Sequence, residues 1–193
     1  MKLSPRVILV TGAPGSGKSL LATVLSRRLR VPFLARDQVR GGLLFTGGAW
    51  TDSIDHFATS DEAVQAFLAT IETLLGQGVT CIAEYVVRAH RPEDFDRLIA
   101  AGDVVVIKTA CAGAIERFAD RHRRDRLIAN TAVLEATGHD SVDSHTAAAV
   151  ERMLQVESEM MTTFPVPTLE VDTTDGHAPS LDEIIDFVTR PAR

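Results

Sequence analysis

The feature that most constrains how this chain folds is a glycine-rich segment directly after a short apolar run at residues 6–11. In order, the segment reads Gly12, Ala13, Pro14, Gly15, Ser16, Gly17, Lys18 and Ser19, and a helical pattern continues from Leu20. This order fits the pattern GxxxxGK[ST] in full, and it stands between a predicted strand and a predicted helix, as the pattern requires. The sequence therefore predicts a phosphate-binding loop, or P-loop, at residues 12–19.

The residue types in this loop suit the phosphate chain of a nucleotide. Glycines let the backbone turn sharply, so that successive N–H groups and a helix N-terminus can hold phosphate oxygens. We predict that residues 12–20 contact ATP, that Lys18 bridges the β- and γ-phosphates, and that the hydroxyl group of Ser19 binds Mg²⁺. ATP and Mg²⁺ are thus the expected ligands.

The rest of the chain alternates between apolar, β-branched runs and segments with apolar residues at three- and four-residue spacing. This alternation predicts an α/β fold with a parallel sheet, whose strands are covered on both faces. We expect one domain over residues 1–193, a three-layer sandwich with five strands in the order 2-3-1-4-5 and a helical, arginine-rich lid. The predicted strands are residues 6–11, 31–35, 79–85, 104–109 and 168–172. The predicted helices are residues 17–29, 61–75, 92–101, 112–123, 141–162 and 181–188, whereas residues 41–60 and 124–140 are poorly patterned.

A carboxylate and an arginine follow the second predicted strand. Asp37 and Arg40 lie three residues apart, just beyond the carboxyl end of that strand, where ligands of open α/β sheets bind. An aspartate there can accept the proton of an attacking hydroxyl group, and an arginine one helical turn away can hold the acceptor or the transferred phosphate. The alternative is that Asp37 caps a short helix and that Arg40 is a solvated surface residue.

These residues give the chain a resemblance to a known family. A P-loop followed about twenty residues later by DxxR is similar to the small P-loop kinases, which include polynucleotide 5′-hydroxyl kinases, chloramphenicol phosphotransferase and the AAA_33 set of predicted kinases. The resemblance implies that Asp37 is the general base of phosphoryl transfer, with Arg40 as its companion on the substrate side. It also implies a third strand that ends in an acidic residue, which is Glu84 here. Glu84 stands where an aspartate is more usual, and it either assists the metal or accepts a hydrogen bond from the P-loop helix.

Arginines are concentrated after the fourth predicted strand. Five of them fall within residues 117–126, and Arg117, Arg121 and Arg124 recur at a spacing that places them on one helix face. The spacing is similar to the RxxxR lid of the same kinases, in which such arginines close over the nucleotide. We therefore predict a lid at about residues 117–140, with Arg121 and Arg124 on the nucleotide and Arg121 also stabilising the transition state. The alternative is a surface helix with salt bridges to its own carboxylates. Residues 137–141 form a lid tip or a substrate loop, or Asp140 and Ser141 cap the next helix, which is the interpretation we favour.

Charge and composition bear on the identity of the acceptor. The chain has a formal net charge of −6 at pH 7 and only 5% aromatic residues, whereas a polynucleotide kinase is expected to have a basic groove and stacking aromatics. We therefore predict transfer of the γ-phosphate to a hydroxyl group of a small molecule, held by about residues 37–75. Trp50 in this segment either stacks on a ring of the acceptor or covers apolar surface. The alternatives are a polynucleotide 5′-hydroxyl kinase and a non-catalytic, ATP-binding regulatory module.

The distribution of apolar residues bears on where the protein resides. No segment approaches the roughly 18 uninterrupted apolar residues of a membrane span, and the first residues run into the first predicted strand without a signal-peptide pattern. We expect a cytoplasmic protein without a membrane partner, and the sequence leaves its oligomeric state open.

Overall fold

A five-stranded parallel sheet forms the centre of the computed structural model, which describes residues 5–46, 58–124, 134 and 138–191. Its strands are β1 (Arg6–Gly12), β2 (Phe33–Ala35), β3 (Cys81–Glu84), β4 (Asp103–Ala110) and β5 (Thr168–Asp172). They lie in the order β2-β3-β1-β4-β5, and every neighbouring pair is parallel. The predicted fold class and strand order are confirmed.

Seven helices flank the sheet within the described part of the chain. They are α1 (Lys18–Leu29), α2 (Arg36–Thr46), α3 (Ala58–Gly76), α4 (Pro92–Ala101), α5 (Ala114–Arg124), α6 (Val142–Ser158) and α7 (Leu181–Thr189). None of these helices is long and apolar enough to cross a lipid bilayer.

The two faces of the sheet are covered by different helices, which makes the three layers. Successive residues of a strand point to opposite faces, and β1 illustrates the consequence. Val7 and Leu9 pack with α3 and α4 in one buried cluster, whereas Ile8 and Val10 pack with α1 and α7 in the other. Because both faces are covered, all seven residues of β1 are buried, as the continuous apolar run predicts.

Local capping explains where several helices begin. Pro92 occupies the first turn of α4, where its missing N–H costs nothing. Ser141 caps α6, since its hydroxyl group accepts a hydrogen bond of 3.1 Å from the N–H of Ser144. Ser180 caps α7 in the same way, with Glu183 completing a capping box. The capping role expected for Ser141 is therefore confirmed.

Two predicted segments differ from the structure. Residues 41–46 and 58–60 are helical, so the prediction of an irregular segment over residues 41–60 is wrong there. The predicted helix at residues 141–162 ends earlier, at Ser158, because Met160 instead forms an antiparallel bridge with Arg88. Trp50 and residues 125–133 and 135–137 of the predicted lid lie outside the described residues.

Candidate functional site

The P-loop joins β1 to α1, and its path depends on two glycines. Gly12 (φ 143°) and Gly15 (φ 83°) have backbone conformations that residues with side chains rarely adopt. A Cβ atom at Gly12 would lie 2.4 Å from the carbonyl oxygen of Thr109, and one at Gly15 would lie 2.1 Å from that of Ala114. A buried hydrogen bond of 2.6 Å between the hydroxyl groups of Ser16 and Thr109 fixes the loop further. The glycines thus allow the loop to approach β4 and α5 closely.

Lys18 is the charged group of the loop, and it is buried. Its Nζ atom donates a hydrogen bond of 2.8 Å to the carbonyl oxygen of Ala13 in the same loop. Burial lowers the pKa of Lys18 from 10.5 to about 8, against the opposing effects of Glu84 and Asp37. A phosphate chain in the loop would supply the nearby negative charge that favours the protonated form.

Ser19 and Glu84 meet at the carboxyl ends of the central strands. Glu84 is the last residue of β3, and the sheet register pairs it with Val10 of β1 and Ala35 of β2. The hydroxyl group of Ser19 donates a hydrogen bond of 2.8 Å to Oε1 of Glu84. Burial raises the pKa of Glu84, and the hydrogen bond from Ser19 and the charge of Lys18 oppose that rise. Of the two roles that the sequence leaves open for Glu84, a hydrogen bond from the P-loop helix is present.

The same two oxygen groups suit a hard divalent cation. Mg²⁺ prefers oxygen ligands, keeps several waters and is usually held by one or two carboxylates together with substrate phosphates. Ser19 and Glu84 supply a hydroxyl group and a carboxylate beside the P-loop. Within the described ranges, no group of three or more His, Cys, Asp or Glu side chains could hold a metal ion by itself. A cation here would therefore be shared with the phosphates of a bound nucleotide.

Asp37 lies in the first turn of α2 and lines the cleft beside the P-loop. Its side chain is 82% exposed, and one carboxylate oxygen lies 3.1 Å from a guanidinium nitrogen of Arg36. Arg40 lies one helical turn beyond Arg36, and it is not among the described residues that line the cleft. Burial, followed by the charge of Arg36, lowers the pKa of Arg40. The structure thus brings Asp37, but not Arg40, to the P-loop.

The first two arginines of the α5 cluster face the cleft. Arg117 and Arg121 line it together with Phe118, and the guanidinium carbon of Arg121 lies 5.8 Å from the centre of the Phe118 ring. Arg117 donates hydrogen bonds of 3.1 Å and 2.6 Å to the carbonyl oxygens of Thr173 and Thr174, in the turn after β5. Arg117 therefore ties α5 to that turn, a connection that the sequence did not predict.

Arg124 occupies a different position, at the exposed end of the described part of α5. Its side chain is 80% exposed and lies 3.7 Å from a carboxylate oxygen of Asp120. Among the described residues it is not one that lines the cleft. This ion pair is of the kind expected for a surface helix, and a contact between Arg124 and a nucleotide stays a prediction.

The P-loop and the residues that follow β2 and β3 line a cleft of about 620 Å³ together with α5. This volume lies within the roughly 300–1,000 Å³ of small-molecule sites. Of the predicted residues it includes Pro14, Gly15, Gly17, Lys18, Ser19, Leu20, Asp37 and Arg121, whereas Gly12, Ala13 and Ser16 do not line it. It also includes Arg36, Tyr85, Val86, Arg88 and Val156, to which the sequence assigned no role. Arg36 and Arg88 follow the carboxyl ends of β2 and β3, and that position is the signal that could have identified them.

The sheet order, the P-loop after the central strand and the adjoining cleft define a P-loop NTPase fold. A family model described as an AAA domain matches residues 8–140. The chain belongs to this AAA domain family.

Solved structures share the fold over nearly the whole chain. A protein from Chloroflexus aurantiacus J-10-fl, proposed to be a kinase, is 24% identical with a TM-score of 0.69, over 98% of this chain and 100% of that chain. The APS kinase CysC of Mycobacterium tuberculosis, solved with AMPPNP and APS, is 18% identical with a TM-score of 0.60, and the match covers 98% of this chain and 100% of that chain. A gluconokinase from Sinorhizobium meliloti 1021 is 18% identical with a TM-score of 0.53, and the match covers 98% of this chain and 94% of that chain. No curated protein matches the chain. The resemblance to P-loop kinases is confirmed in the fold.

Proposed function

We propose that this protein is an ATP-dependent kinase that transfers the γ-phosphate of ATP to a hydroxyl group of a small molecule. The observation that carries the proposal is the position of Asp37, which lines the same cleft as Lys18 and Ser19. Glu84 already supplies the carboxylate that nucleotide binding with Mg²⁺ would use, so a second carboxylate in the cleft favours proton transfer over nucleotide binding alone. The APS kinase and the gluconokinase with the same fold support the assignment by analogy.

In this proposal Lys18 changes its hydrogen-bond partner when the P-loop binds the phosphates of ATP. Lys18 leaves the carbonyl oxygen of Ala13 and donates to the β- and γ-phosphates instead. Arg121 lines the cleft from α5 and adds a second positive charge. Arg40 and Arg124, which lie outside the cleft lining, would need to move to contact either substrate.

Asp37 then acts as the general base. It accepts the proton of the acceptor hydroxyl group while that oxygen forms a bond to the γ-phosphorus, and the bond from phosphorus to the bridging oxygen breaks to release ADP. Lys18 and Arg121 offset the negative charge that builds up on the phosphoryl oxygens and on the leaving group. Mg²⁺, when bound, neutralises a further part of that charge, and Ser19 and Glu84 are the residues that would hold it.

Replacing Asp37 by Asn tests the assignment. The variant keeps the shape of the side chain but cannot accept the proton, so kcat should fall by about 10²- to 10⁴-fold while ATP binding persists. ADP release is measured with Mg²⁺ across nucleosides, sugars, sugar acids, aminoglycosides, phenicol antibiotics and a 5′-hydroxyl oligonucleotide. ATP affinity is measured by calorimetry.

Asp182→Asn is the matched control. Asp182 lies in the first turn of α7, its side chain is 85% exposed, and it lies 3.1 Å from Arg28, much as Asp37 lies beside Arg36. This variant should leave kcat unchanged.

Three results would change the proposal. Full turnover by Asp37→Asn would reject Asp37 as the base. Tight ATP binding without phosphorylation of any acceptor would favour a non-catalytic ATP-binding module. Phosphorylation of the 5′-hydroxyl oligonucleotide alone would replace the small-molecule acceptor by a polynucleotide.

A further inference from the structure

The cleft is locally cationic in a chain that is acidic overall. Its charged lining consists of five cations and two carboxylates, namely Lys18, Arg36, Arg88, Arg117 and Arg121 against Asp37 and Glu84. The formal net charge of the whole chain is −6 at pH 7. The excess of positive charge is therefore a property of this cleft rather than of the protein surface in general.

The strand order divides the arginines of the cleft into two groups. β1 and the P-loop lie at the centre of the sheet, with β4 and β5 on one side and β3 and β2 on the other. Arg117 and Arg121 belong to α5, which follows β4, and Arg117 binds the turn after β5. Arg36 and Arg88 follow β2 and β3, on the same side as Asp37. The half of the cleft that contains the proposed base thus has arginines of its own.

Arg88 is oriented by contacts with two residues outside the cleft lining, Glu159 and Met160. It forms an antiparallel bridge with Met160, and the N–H of the next residue, Ala89, donates a hydrogen bond of 2.7 Å to the carbonyl oxygen of Glu159. One guanidinium nitrogen of Arg88 also binds the carboxylate of Glu159, which does not line the cleft. A guanidinium group carries five N–H donors, so this contact holds the group and leaves donors for a ligand.

Arg36 places a second guanidinium group beside the proposed base. Its side chain is 20% exposed, and its nitrogen lies 3.1 Å from the carboxylate of Asp37. An anion bound by Arg36 would therefore lie close to the position that an acceptor hydroxyl group must occupy in order to reach Asp37.

We propose that the acceptor carries an anionic group, either a carboxylate or a phosphate ester, and that Arg36 and Arg88 bind this group while its hydroxyl group faces Asp37. The planar fork of arginine matches the oxygens of both anions. The same charges disfavour amine-bearing acceptors. This inference rests on the proposed kinase function and narrows its acceptor to hydroxy acids and phosphorylated hydroxyl compounds.

Acceptor pairs in which a carboxylate replaces one CH2OH group, or a phosphate esterifies one hydroxyl group, test the inference. Suitable pairs are glycerate and glycerol, gluconate and glucitol, and 3′-AMP and adenosine, each assayed with ATP and Mg²⁺. The anionic member should have the higher kcat/KM with the wild-type protein. Arg88→Gln should raise the KM of the anionic member about 10- to 100-fold, as expected for lost hydrogen bonds to a charged group, and leave kcat and the neutral member nearly unchanged.

Two further variants separate anion binding from a structural role of Arg88. Glu159→Gln removes the charge of the partner but keeps a hydrogen-bond acceptor that can hold Arg88, so the KM of the anionic member should stay the same or fall. If the ion pair were only structural, Glu159→Gln would reproduce the loss seen in Arg88→Gln. Arg97→Gln removes an arginine that pairs with Glu72 outside the cleft, and it should change no KM. Thermal unfolding of each variant verifies that the fold persists.

Binding to protein loaded with AMPPNP and Mg²⁺ gives a readout that does not depend on turnover. Anionic members that bind, lose binding in Arg88→Gln and yet are never phosphorylated would support the anion site and count against the kinase reaction. Neutral members that bind and react as well as anionic ones, or an equal loss of both in Arg88→Gln, would overturn the anion site and leave the kinase standing. The anion site is likewise overturned if no anionic member binds.

Discussion

Replacing Lys18 by Met should stabilise the nucleotide-free protein and abolish its response to ATP. Lys18 is only 9% exposed, and burial lowers its pKa from 10.5 to about 8. Between these two pH values the unfolded chain binds more protons than the folded protein, so stability rises with pH in that window. Below the window, the protonated lysine costs the folded state about 3 kcal/mol.

Methionine has a similar length and no charge to bury. The variant also loses the hydrogen bond from the charged Lys18 to Ala13, which is worth about 2 kcal/mol. We therefore expect the free energy of unfolding to rise by about 1 kcal/mol at neutral pH, which corresponds to an increase of about 2–4 °C in Tm for a chain of this length.

Urea unfolding over a range of pH measures this effect. The gain in Lys18→Met should be full at pH 7 and shrink as the pH rises from 8 towards 10.5, because a neutral lysine carries no such cost. ATP with Mg²⁺ should raise the Tm of the wild-type protein but not that of the variant. Lys108→Met is the matched control, since Lys108 pairs with Glu170 at 3.0 Å and its replacement should not stabilise the protein. A variant less stable than the wild type at pH 7, or a gain that does not depend on pH, would refute the reasoning.

Two further predictions concern the loop backbone and a buried histidine. Gly15→Ala should lower Tm and weaken ATP binding, because its Cβ would collide with the carbonyl group of Ala114 and a left-handed backbone costs a residue with a side chain about 1–2 kcal/mol. Gly41→Ala, where the Cβ would meet open space within α2, should instead stabilise the protein by about 0.5–1 kcal/mol; the opposite order of Tm values would contradict both. His145 is buried beside the ring of His139, and burial followed by that neighbour lowers its pKa below 6.5. The free energy of unfolding should therefore fall as the pH drops below 6.5, because the unfolded chain takes up the proton first. Urea unfolding of the wild type and of His145→Gln over a range of pH measures this effect. Equal pH slopes for the two proteins would show that the histidine is not responsible.

The parts of the fold that could be predicted are those whose pattern is local. The apolar runs predict the five strands to within two residues at each end, and Pro92 marks the start of α4. Beyond the short helix of the alternative in which Asp37 is a cap, helix α2 was not predicted, because Gly41 and Gly42 each lower helix propensity by about 1 kcal/mol. It forms through tertiary contacts, since it packs against α3 and places Val39 against the core. Packing of this kind leaves no periodic signal in a short segment.

In the candidate site, too, the residues with a local sequence pattern could be predicted and the others could not. A motif identified Lys18 and Ser19, and Asp37 could be placed because it follows a strand that the pattern marks clearly. Arg88 lines the cleft, and its backbone forms a bridge with Met160, a residue far away in sequence. No local pattern encodes such a pairing. The hydrogen bonds from Arg117 to the turn after β5 are equally non-local. Topology, rather than composition, decides which of the arginines line the cleft.

The central position of the P-loop affects how a kinase of this kind can evolve. In the proposed function, the residues that select the acceptor follow β2 and β3, whereas those that complete the nucleotide site follow β4 and β5. Substitutions in the first group can accumulate after gene duplication without loss of the phosphate donor. Descendants of one ancestral chain would then share a common energy source and diverge in the compound that they modify.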